Sequence, residues 1–514
     1  MKRDYLPVDS LLTWTKLNNI TVKGVTFKKI QSDGIDKGSA IVATEENSQG
    51  EDASSDYLIR VPSDMVLSQQ LVENHAKADR HLKEVLEAVG EFGRTARGAI
   101  LIFLIMQLTH SSKEFLGQPK IGVSHPWAEY IKYMPSSVLL PTLYDHEEVE
   151  LLQGTSLRLA VEAKKDYLEK EFEHLRQSTE NIPWCEERWW GESGELDIDD
   201  WKYVDALYRS RLVDLPRSGH AMVPCVDMAN HASDDTVKAL YEEDAEGNAL
   251  LQLREGQVLH PGDEVTISYG SEKPAAEMLF SYGFLPEDKE DAGQVFLDLS
   301  IPDDDPLRNH KASFCKDPPG VTFSLIPPTE GRTTAWDSPF AWWACINEED
   351  GLKVAMLQNN DGGRELKVTW KDKEVKDSGD LRALLEADPL WDVFYLRAVA
   401  LILARVNLQF YFLKQMQEVS AQISQSADMQ AVFRPGVLSA TRKLRDLEEK
   451  LLEPCLKELE NEQPELAWTG SVLRNAMWRA KLMSLRLYGG SVFQASSNVS
   501  DISYCWVDRL WTST

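Results

Sequence analysis

The sequence predicts an α+β fold, in which a strand-rich unit is interrupted by helices and followed by a mostly α-helical C-terminal domain. Two blocks of short apolar runs, at residues 21–67 and 220–285, are typical of strands joined by tight turns. Between these blocks, and again beyond residue 300, apolar residues recur at helical spacing. Because helices separate two strand blocks, we interpret the middle stretch as an insertion into one α+β unit.

The N-terminal block begins with a predicted capping helix in residues 1–20 and continues as strands. Val25 and Phe27 alternate with polar neighbours, whereas Ala40–Ala43 and Tyr57–Val61 are compact apolar runs. The apolar positions of the capping helix are Leu11, Leu12, Trp14 and Leu17.

The insertion is predicted to be helical because its apolar residues share helix faces. Leu82, Val85, Leu86 and Val89 lie on one such face. The other predicted segments are a buried helix at Gly98–Leu108, a long amphipathic helix at Leu151–Leu175, a tryptophan-rich connector at Pro183–Gly194 and a helix at 196–215.

After the insertion, residues 220–285 are predicted to form short strands and tight turns, with an obvious turn at His260–Asp263. The acidic, proline-rich segment through Pro302–Asp305 suggests a domain boundary. Beyond this boundary, Gly320–Trp370 has a less regular pattern, and strands are one interpretation of it. Leu390–Met416 is apolar at helical spacing. A second helix face is formed by Leu444, Leu447, Leu451 and Leu452.

The chain is long enough for several cores, because single cores stop growing at roughly 250–300 residues and the sequence has 514. Changes in pattern give the predicted boundaries. The segments are an N-terminal cap with the first strands at 1–67, the helical insertion at 68–200, the second strand-rich part at 201–290 and the helical C-terminal domain at 300–514.

The net charge of −28 limits the partners that we expect. Binding to nucleic acid or to anionic lipid needs basic surface, so neither is expected. An acidic surface keeps a protein soluble, and it also attracts basic partners over a distance. We therefore expect a protein partner of basic character, no membrane association and, by default, a monomer.

The cysteines and the N-terminus indicate an intracellular compartment. The six cysteines form no CxxC or CxC pair, so neither a zinc site nor any other metal site is expected. Cysteines scattered along a long chain are typical of reduced thiols in an intracellular compartment. The first residues lack the apolar core of a signal peptide, and Ala99–Met106 is too short to span a bilayer. These features predict a cytosolic or nuclear protein.

Three short segments combine polar groups with apolar surroundings: Val223–His231, Glu264–Gly270 and Glu277–Phe284. The amide of Asn230 and the imidazole of His231 follow a short apolar run, so each needs a hydrogen-bond partner. Neighbouring backbone or a ligand could supply it. These residues alone also fit a purely structural role, and they do not name a reaction.

Taken in order, these segments resemble the C-terminal half of a SET domain. Asp227–His231 matches a D-x-x-N-H segment, Gly262–Tyr269 a tyrosine strand and Tyr282–Phe284 a Y-G-F turn, and Arg209–Arg211 precedes them as an R-S-R helix end. The resemblance is to the branch typified by Rubisco large-subunit methyltransferase. The N-terminal half of the SET-domain pattern matches this sequence more weakly, at Lys37–Ala43.

The resemblance implies a SET-domain β-fold with a helical insertion and a C-terminal substrate-binding domain. It also implies S-adenosylmethionine as cofactor and Tyr269 as the central active-site tyrosine. The positions that the family uses to bind the cofactor correspond to Lys37, Gly38, Ser39, Arg211, Asn230, His231 and Tyr282. The positions that line its lysine channel correspond to Arg211, Asp227, Tyr241, Tyr269 and Tyr282.

The implied activity is methylation of a lysine in a non-histone protein, for instance a ribosomal protein or a translation factor. A histidine acceptor stays open, because one member of this branch modifies a histidine on actin and Tyr269 does not separate the two. The sequence departs from the family pattern at Ala40, Ala232 and Pro274–Ala275. A catalytically silent SET-fold protein that binds a basic peptide is therefore a second alternative.

Overall fold

The structure is a computed structural model. It describes residues 1–2, 4–32, 35–48, 57–115, 121–192, 194–233, 236–329, 332–358 and 364–468. The chain divides into two compact units. Of the described residues, the first comprises those within 1–145, 164–273 and 278–288, and the second comprises those within 146–163, 274–277 and 289–468. The four domain boundaries drawn from the sequence stay a prediction.

The strands of the first unit come from both ends of its sequence and pair across the insertion. Ile59–Val61 pairs with Ala249–Leu253, and Leu67–Ser68 pairs with Gly219–Met222, so the two strand-rich blocks form one unit as the pattern predicts. The strands are β1 Thr21–Val22, β2 Val25–Ser32, β3 Ile35–Ala43, β4 Asn47–Ser48, β5 Ile59–Val61, β6 Leu67–Ser68, β7 Leu212–Leu215, β8 Gly219–Met222, β9 Asn230–His231, β10 Ala239–Glu243, β11 Ala249–Leu253, β12 Val258–Leu259 and β13 Thr266–Ile267.

These strands form small sheets rather than one large one. The hydrogen-bonded orders are β1-β5-β11-β10, β6-β8-β7, β2-β3, β4-β12 and β9-β13. In the β2-β3 hairpin Val25 and Phe27 are buried, and they pair with Ala43 and Ile41. The alternation seen in the sequence is therefore the alternation between core and surface that a strand requires.

Helices fill the insertion and flank it. Leu82 and Val85 are buried on one face of a helix, as predicted, and every residue from Gly98 to Thr109 is buried, as expected of a core helix. Of the predicted capping helix, Leu11 and Trp14 are buried whereas Leu17 is exposed. The helices are α1 Leu11–Leu17, α2 Gln69–Ala76, α3 Arg80–Ala88, α4 Ala96–Ser111, α5 Trp127–Tyr130, α6 His146–Glu150, α7 Leu157–Thr179, α8 Pro183–Cys185, α9 Ile198–Arg211 and α10 Ala275–Tyr282.

Two predicted helix limits in the insertion are wrong. The long helix predicted from Leu151 begins at Leu157, because Gly154 has a φ of 79° and residues 151–156 form turns. The helix predicted to reach residue 215 ends at Arg211, because Leu212 is already extended and pairs with β8.

Two other predicted segments have a different local structure. The connector Pro183–Gly194 begins as α8 and continues as a π-helical turn at Glu186–Trp190, with Trp184 and Trp189 buried. The segment predicted as strands and turns up to residue 285 contains α10, whose short apolar run does not distinguish strand from helix.

The second unit combines helices with two three-stranded sheets, so its less regular part is β-structure. Leu444, Leu447, Leu451 and Leu452 are buried along one helix, as predicted. The elements are β14 Gln294–Asp298, α11 Arg308–Phe314, β15 Gly320–Thr329, β16 Arg332–Asp337, α12 Pro339–Cys345, β17 Leu352–Gln358, β18 Arg364–Trp370, β19 Lys373–Val375, α13 Ser378–Glu386, α14 Trp391–Ser424, α15 Ala427–Gln430 and α16 Val437–Trp468.

The long helix α14 is apolar enough to cross a membrane by length and composition alone. In the structure half of its most apolar stretch is buried, and the helix packs along α16. This arrangement is typical of the core helix of a globular unit, which passes the same test.

Candidate active site

The two motif segments after the insertion meet in a short parallel pair of strands. Asn230 in β9 pairs with Thr266 in β13, and His231 pairs with Ile267. The pairing continues where the Ala232 backbone N–H donates to the carbonyl of Ile267 at 3.0 Å. Residues almost forty positions apart in the chain are thereby held side by side.

Tyr269 lies just beyond this pair and is fixed at both ends. Its hydroxyl donates to the carbonyl oxygen of Ala229 at 2.9 Å, and its backbone N–H donates to Nδ1 of His231 at 3.1 Å. Its ring lies 4.6 Å from that of Tyr282 and 6.3 Å from that of Phe284, between centroids. Burial raises the pKa of the Tyr269 phenol to about 12, so the hydroxyl keeps its proton at neutral pH.

Arg211 and Asp227 form a buried ion pair next to Tyr269. Nη1 of Arg211, the last residue of α9, donates to the Asp227 carbonyl oxygen at 2.9 Å and lies 3.2 Å from its Oδ2. The Asp227 side chain is fully buried, and burial raises its pKa although Arg211 opposes the shift. The guanidinium also acts on Tyr269, whose pKa it lowers against the effect of burial.

Tyr130 is the third member of this cluster. Its hydroxyl donates to Oδ1 of Asp227 at 2.5 Å and accepts the backbone N–H of Cys225 at 2.7 Å. Cys225 is buried and has a φ of 72°, a conformation that non-glycine residues rarely adopt. The turn that leads to Asp227 and Asn230 is thus strained and held by a side chain from the insertion.

Asn230 is oriented by a carboxylate. Its Nδ2 donates to Oε1 of Glu264 at 2.7 Å. Glu264 faces Val42 of β3 across an isolated bridge, and the backbone N–H of Val265 donates to Ile41 of the same strand at 2.8 Å. The third strand of the chain is therefore attached directly beside the β9-β13 pair.

Further along β3, Gly38 lies at a bulge with a φ of 84°. A Cβ built there would meet no atom within 4 Å, so a side chain at this position would enter open space. Glycine is the residue that adopts this φ without strain. Ser39 pairs with Lys29, and the side chain of Lys37 lies outside the described residues.

Comparison with known proteins gives related chains with the same architecture. No family model matches the sequence. SET domain-containing protein 8 of Schizosaccharomyces pombe is 29% identical over 383 residues, which cover 74% of this chain and 80% of that protein. The crystal structure of the SET domain of LSMT bound to lysine and AdoHcy superposes with a TM-score of 0.60, covering 89% of this chain and 92% of that chain at 17% identity.

The fold is therefore that of a SET domain, and the sequence is similar to that of a SET domain-containing protein. Two other relatives match over less of their own length. The Rubisco large-subunit N-methyltransferase of Nicotiana tabacum is 26% identical, over 37% of this chain and 39% of that enzyme. The actin-histidine N-methyltransferase of Mus musculus is 22% identical, over 73% of this chain and 59% of that enzyme.

The two arginines of the R-S-R helix end, Arg209 and Arg211, have separate environments. Arg211 pairs with Asp227, whereas Arg209 Nε donates to Asp205 at 2.8 Å and Nη1 donates to the carbonyl of Phe280 at 2.8 Å. The geometry assigns Arg209 to the scaffold and Arg211 to the candidate site.

Tyr241 is a predicted site residue that no described contact joins to the cluster. It lies on β10, where burial raises its pKa and the backbone of Asp214 opposes the shift. Among the described contacts, no hydrogen bond or ring contact links Tyr241 with Tyr269 or Arg211. Its place in a substrate channel stays a prediction.

The sequence did not point to Tyr130, Glu264, Phe284 or the carbonyl of Ala229 as site residues. Glu264 and Phe284 stand inside the quoted motifs, so motif neighbourhood was a usable signal for both. No sequence signal pointed to Tyr130, because it lies in the insertion almost one hundred residues before its partner Asp227.

Proposed function

We propose that this SET-domain protein is an S-adenosylmethionine-dependent protein-lysine N-methyltransferase that acts on a non-histone protein. The observation that carries the proposal is the joined cluster of Tyr269, Ala229 and the Arg211–Asp227 pair. Solved relatives with the same fold are named as bound to AdoMet or to AdoHcy with lysine, which supports the cofactor and the acceptor.

The residues of the site fit a sulfonium cofactor. A sulfonium is a cation, and cations are stabilised by aromatic faces, carbonyl oxygens and carboxylates. Tyr269, Tyr282 and Phe284 supply rings, and Ala229 supplies a carbonyl oxygen. Asn230 and the strand backbone beside Gly38 are the further groups that would hold the nucleoside and amino-acid parts.

S-adenosylmethionine supplies an electrophilic methyl group, and the transfer needs a nucleophile in line with it. The protein's contribution is positioning and control of protonation. Because the pKa of Tyr269 is raised to about 12, its hydroxyl acts as a neutral hydrogen-bonding group and not as a general base. Its bond to Ala229 leaves the oxygen lone pairs to accept a hydrogen from an acceptor amine.

The acceptor lysine must arrive without its proton, although its ordinary pKa is about 10.4. Burial next to a positive charge lowers the pKa of an amine. Around Tyr269 burial is the largest effect, whereas the charge of Arg211 is opposed by those of Asp227 and Glu264. A lysine nitrogen that reaches Tyr269 is therefore favoured in its neutral, nucleophilic form.

Methyl transfer tests the proposal. The protein is incubated with tritiated S-adenosylmethionine and a protein extract from cells depleted of the cofactor, and the labelled amino acid is identified after acid hydrolysis. We expect label in methyllysine. The Tyr269→Phe variant should fold normally and transfer about tenfold to a hundredfold more slowly, since one lost hydrogen bond is worth ~1–3 kcal/mol. Turnover of Tyr269→Phe at the wild-type rate would remove this residue from the mechanism.

A histidine acceptor is the second candidate, because the similarity to actin-histidine N-methyltransferase extends over 73% of this chain. The same hydrolysate distinguishes the two, since label in methylhistidine instead of methyllysine would assign the activity to histidine. A silent peptide-binding protein would show no saturable heat on titration with S-adenosylmethionine, whereas an enzyme would.

We also propose a basic protein substrate, a monomeric enzyme and a location in the cytosol or the nucleus. The net charge of −28 supports the first of these, because the field of an acidic protein steers basic partners. Size-exclusion chromatography with light scattering measures the oligomeric state. A fluorescent fusion reports the compartment.

A further inference from the structure

The ion pair of Arg211 and Asp227 needs external support, because a buried carboxylate is costly unless it is paired and hydrogen-bonded. Arg211 reaches Oδ2 of Asp227, which leaves Oδ1 to a second donor. The hydroxyl of Tyr130 is that donor, at 2.5 Å. Charge-assisted hydrogen bonds of this kind are shorter and stronger than neutral ones.

The ring of Tyr130 is held in place before any ligand binds. It is fully buried, with the ring of Trp14 at 4.9 Å and that of Trp127 at 5.2 Å between centroids. Trp127 is itself anchored, because its Nε1 donates to the carbonyl of Met65 at 3.0 Å. The hydroxyl therefore has a fixed position from which to orient Asp227.

The same hydroxyl also accepts the N–H of Cys225 at 2.7 Å. This N–H belongs to the residue with the unusual φ of 72°, two positions before Asp227. One oxygen atom therefore supports both the carboxylate and the strained turn that carries it.

We infer that Tyr130, supplied by the helical insertion, is a positioning residue of the active site: through Asp227 it holds Arg211 beside Tyr269. The inference rests on the proposed methyl transfer at Tyr269. It extends the active site beyond the two strand-rich segments and assigns the insertion a part in the reaction.

The pH dependence of the reaction follows from the groups that face Asp227. These are Arg211 at the end of α9, Tyr130 from α5, Cys225 in the turn and Tyr269 after β13. Asp227 must be ionised to hold Arg211, so activity is lost as pH falls through its pKa. The hydrogen bond from Tyr130 lowers that pKa, and its removal therefore moves the acid limb of the rate profile to higher pH.

Tyr130→Phe and Tyr133→Phe are a matched pair for the test. The two tyrosines are buried and stand three residues apart in the chain, and each substitution removes one hydroxyl. The Tyr133 hydroxyl, however, lies 3.3 Å from Ser10 Oγ and does not contact Asp227. With tritiated S-adenosylmethionine and the protein extract as acceptor, we expect Tyr130→Phe to be about tenfold slower at neutral pH, with its acid limb shifted upward. Tyr133→Phe should keep the wild-type limb.

Unfolding by urea at several pH values tests the contact without any substrate. In Tyr130→Phe the stability deficit should shrink as pH falls, because protonated Asp227 no longer needs the lost donor. In Tyr133→Phe the deficit should not change with pH. Equal deficits and equal acid limbs in the two variants would overturn the inference. If the wild type transfers no methyl group, the proposed function fails, and the unfolding comparison still decides whether Tyr130 supports Asp227.

Discussion

Arg209 and Arg211 stand two positions apart in the chain, yet their different neighbours give them different roles. Arg209 is committed to Asp205 and to the carbonyl of Phe280, and its guanidinium lies 4.7 Å from the Phe280 ring centroid. Arg211 is committed to Asp227 and acts on Tyr269. Replacement of Arg209 by lysine would lose the planar fork, whose Nε and Nη1 reach two different acceptors at once.

Gly38 gives a prediction at the same scale. The Gly38→Ala variant should lose about 1 kcal/mol of unfolding free energy, because alanine at a φ of 84° is strained although no atom blocks its Cβ. If the cofactor runs along this backbone, its binding should also weaken by about tenfold. Calorimetric titration with S-adenosylhomocysteine measures the second effect.

The control for Gly38→Ala is Gly219→Ala. Gly219 also has a positive φ, of 61°, at the start of β8 in the β7-β8 hairpin, and its added Cβ would also meet no atom within 4 Å. Both variants should lose similar stability, and binding should weaken only in Gly38→Ala. Unchanged binding in Gly38→Ala would remove this strand from the cofactor site.

The residues of the site that could be predicted from the sequence are those that stand in the motifs. Asn230, His231 and Tyr269 do lie together, since Asn230 and His231 form β9 and Tyr269 follows its partner strand β13. Tyr130 could not be predicted, because its role depends on the packing of its ring between Trp14 and Trp127 and not on a local pattern.

At the scale of elements, the spacing of apolar residues predicted the helices and strands that are buried either on all sides or on one face only. Helix α4 is buried all round and the β2-β3 hairpin is buried on one face, and both patterns are plain in the sequence. The helix α10 falls in a segment predicted as strands and turns, and the strands β15–β18 fall in the stretch Gly320–Trp370 that was left open to strands, because short apolar runs fit a strand and a buried helix equally well.

Asp205, a residue of α9, joins three helices through ionic contacts. Its carboxylate accepts hydrogen bonds from Arg97 of α4 at 2.6 Å and from Arg209 at 2.8 Å, and Nζ of Lys164 in α7 lies 3.7 Å away. Asp205→Asn should cost about 3–5 kcal/mol of unfolding free energy at pH 7, since it leaves buried cations without their partner. Asp199→Asn, an exposed change in the same helix, should cost little.

The loss in Asp205→Asn should depend on pH in a defined direction. Burial raises the pKa of Asp205, but the surrounding cations outweigh it and hold the pKa well below its usual value. A carboxylate with a lowered pKa stabilises the protein above its unfolded value of about 3.9, and this stabilisation is lost as pH falls further. Urea unfolding of both proteins at pH 7 and near pH 3 should therefore show a smaller difference at the lower pH.

At the scale of the whole molecule, similarity extends beyond the site. The yeast relative matches over 74% of this chain, and the superposition on the LSMT structure covers 89% of it. The sequence motifs lie in the first unit only, so the second unit was predicted from helical spacing in α14 and α16. Most of its two small sheets lie in Gly320–Trp370, where the less regular pattern left strands open without placing them.

The charge of the whole chain gives the last prediction. A net charge of −28 creates a field that steers a basic protein substrate, and salt screens that field. The screening length falls from about 30 Å at 0.01 M salt to about 10 Å at 0.1 M and 3 Å at 1 M. We therefore expect kcat/KM for the protein acceptor to fall by about tenfold or more from low to high salt. Binding of S-adenosylhomocysteine, a small ligand with little net charge, should change far less over the same range. A rate of methyl transfer that does not respond to salt would exclude steering and, with it, the argument for a basic substrate.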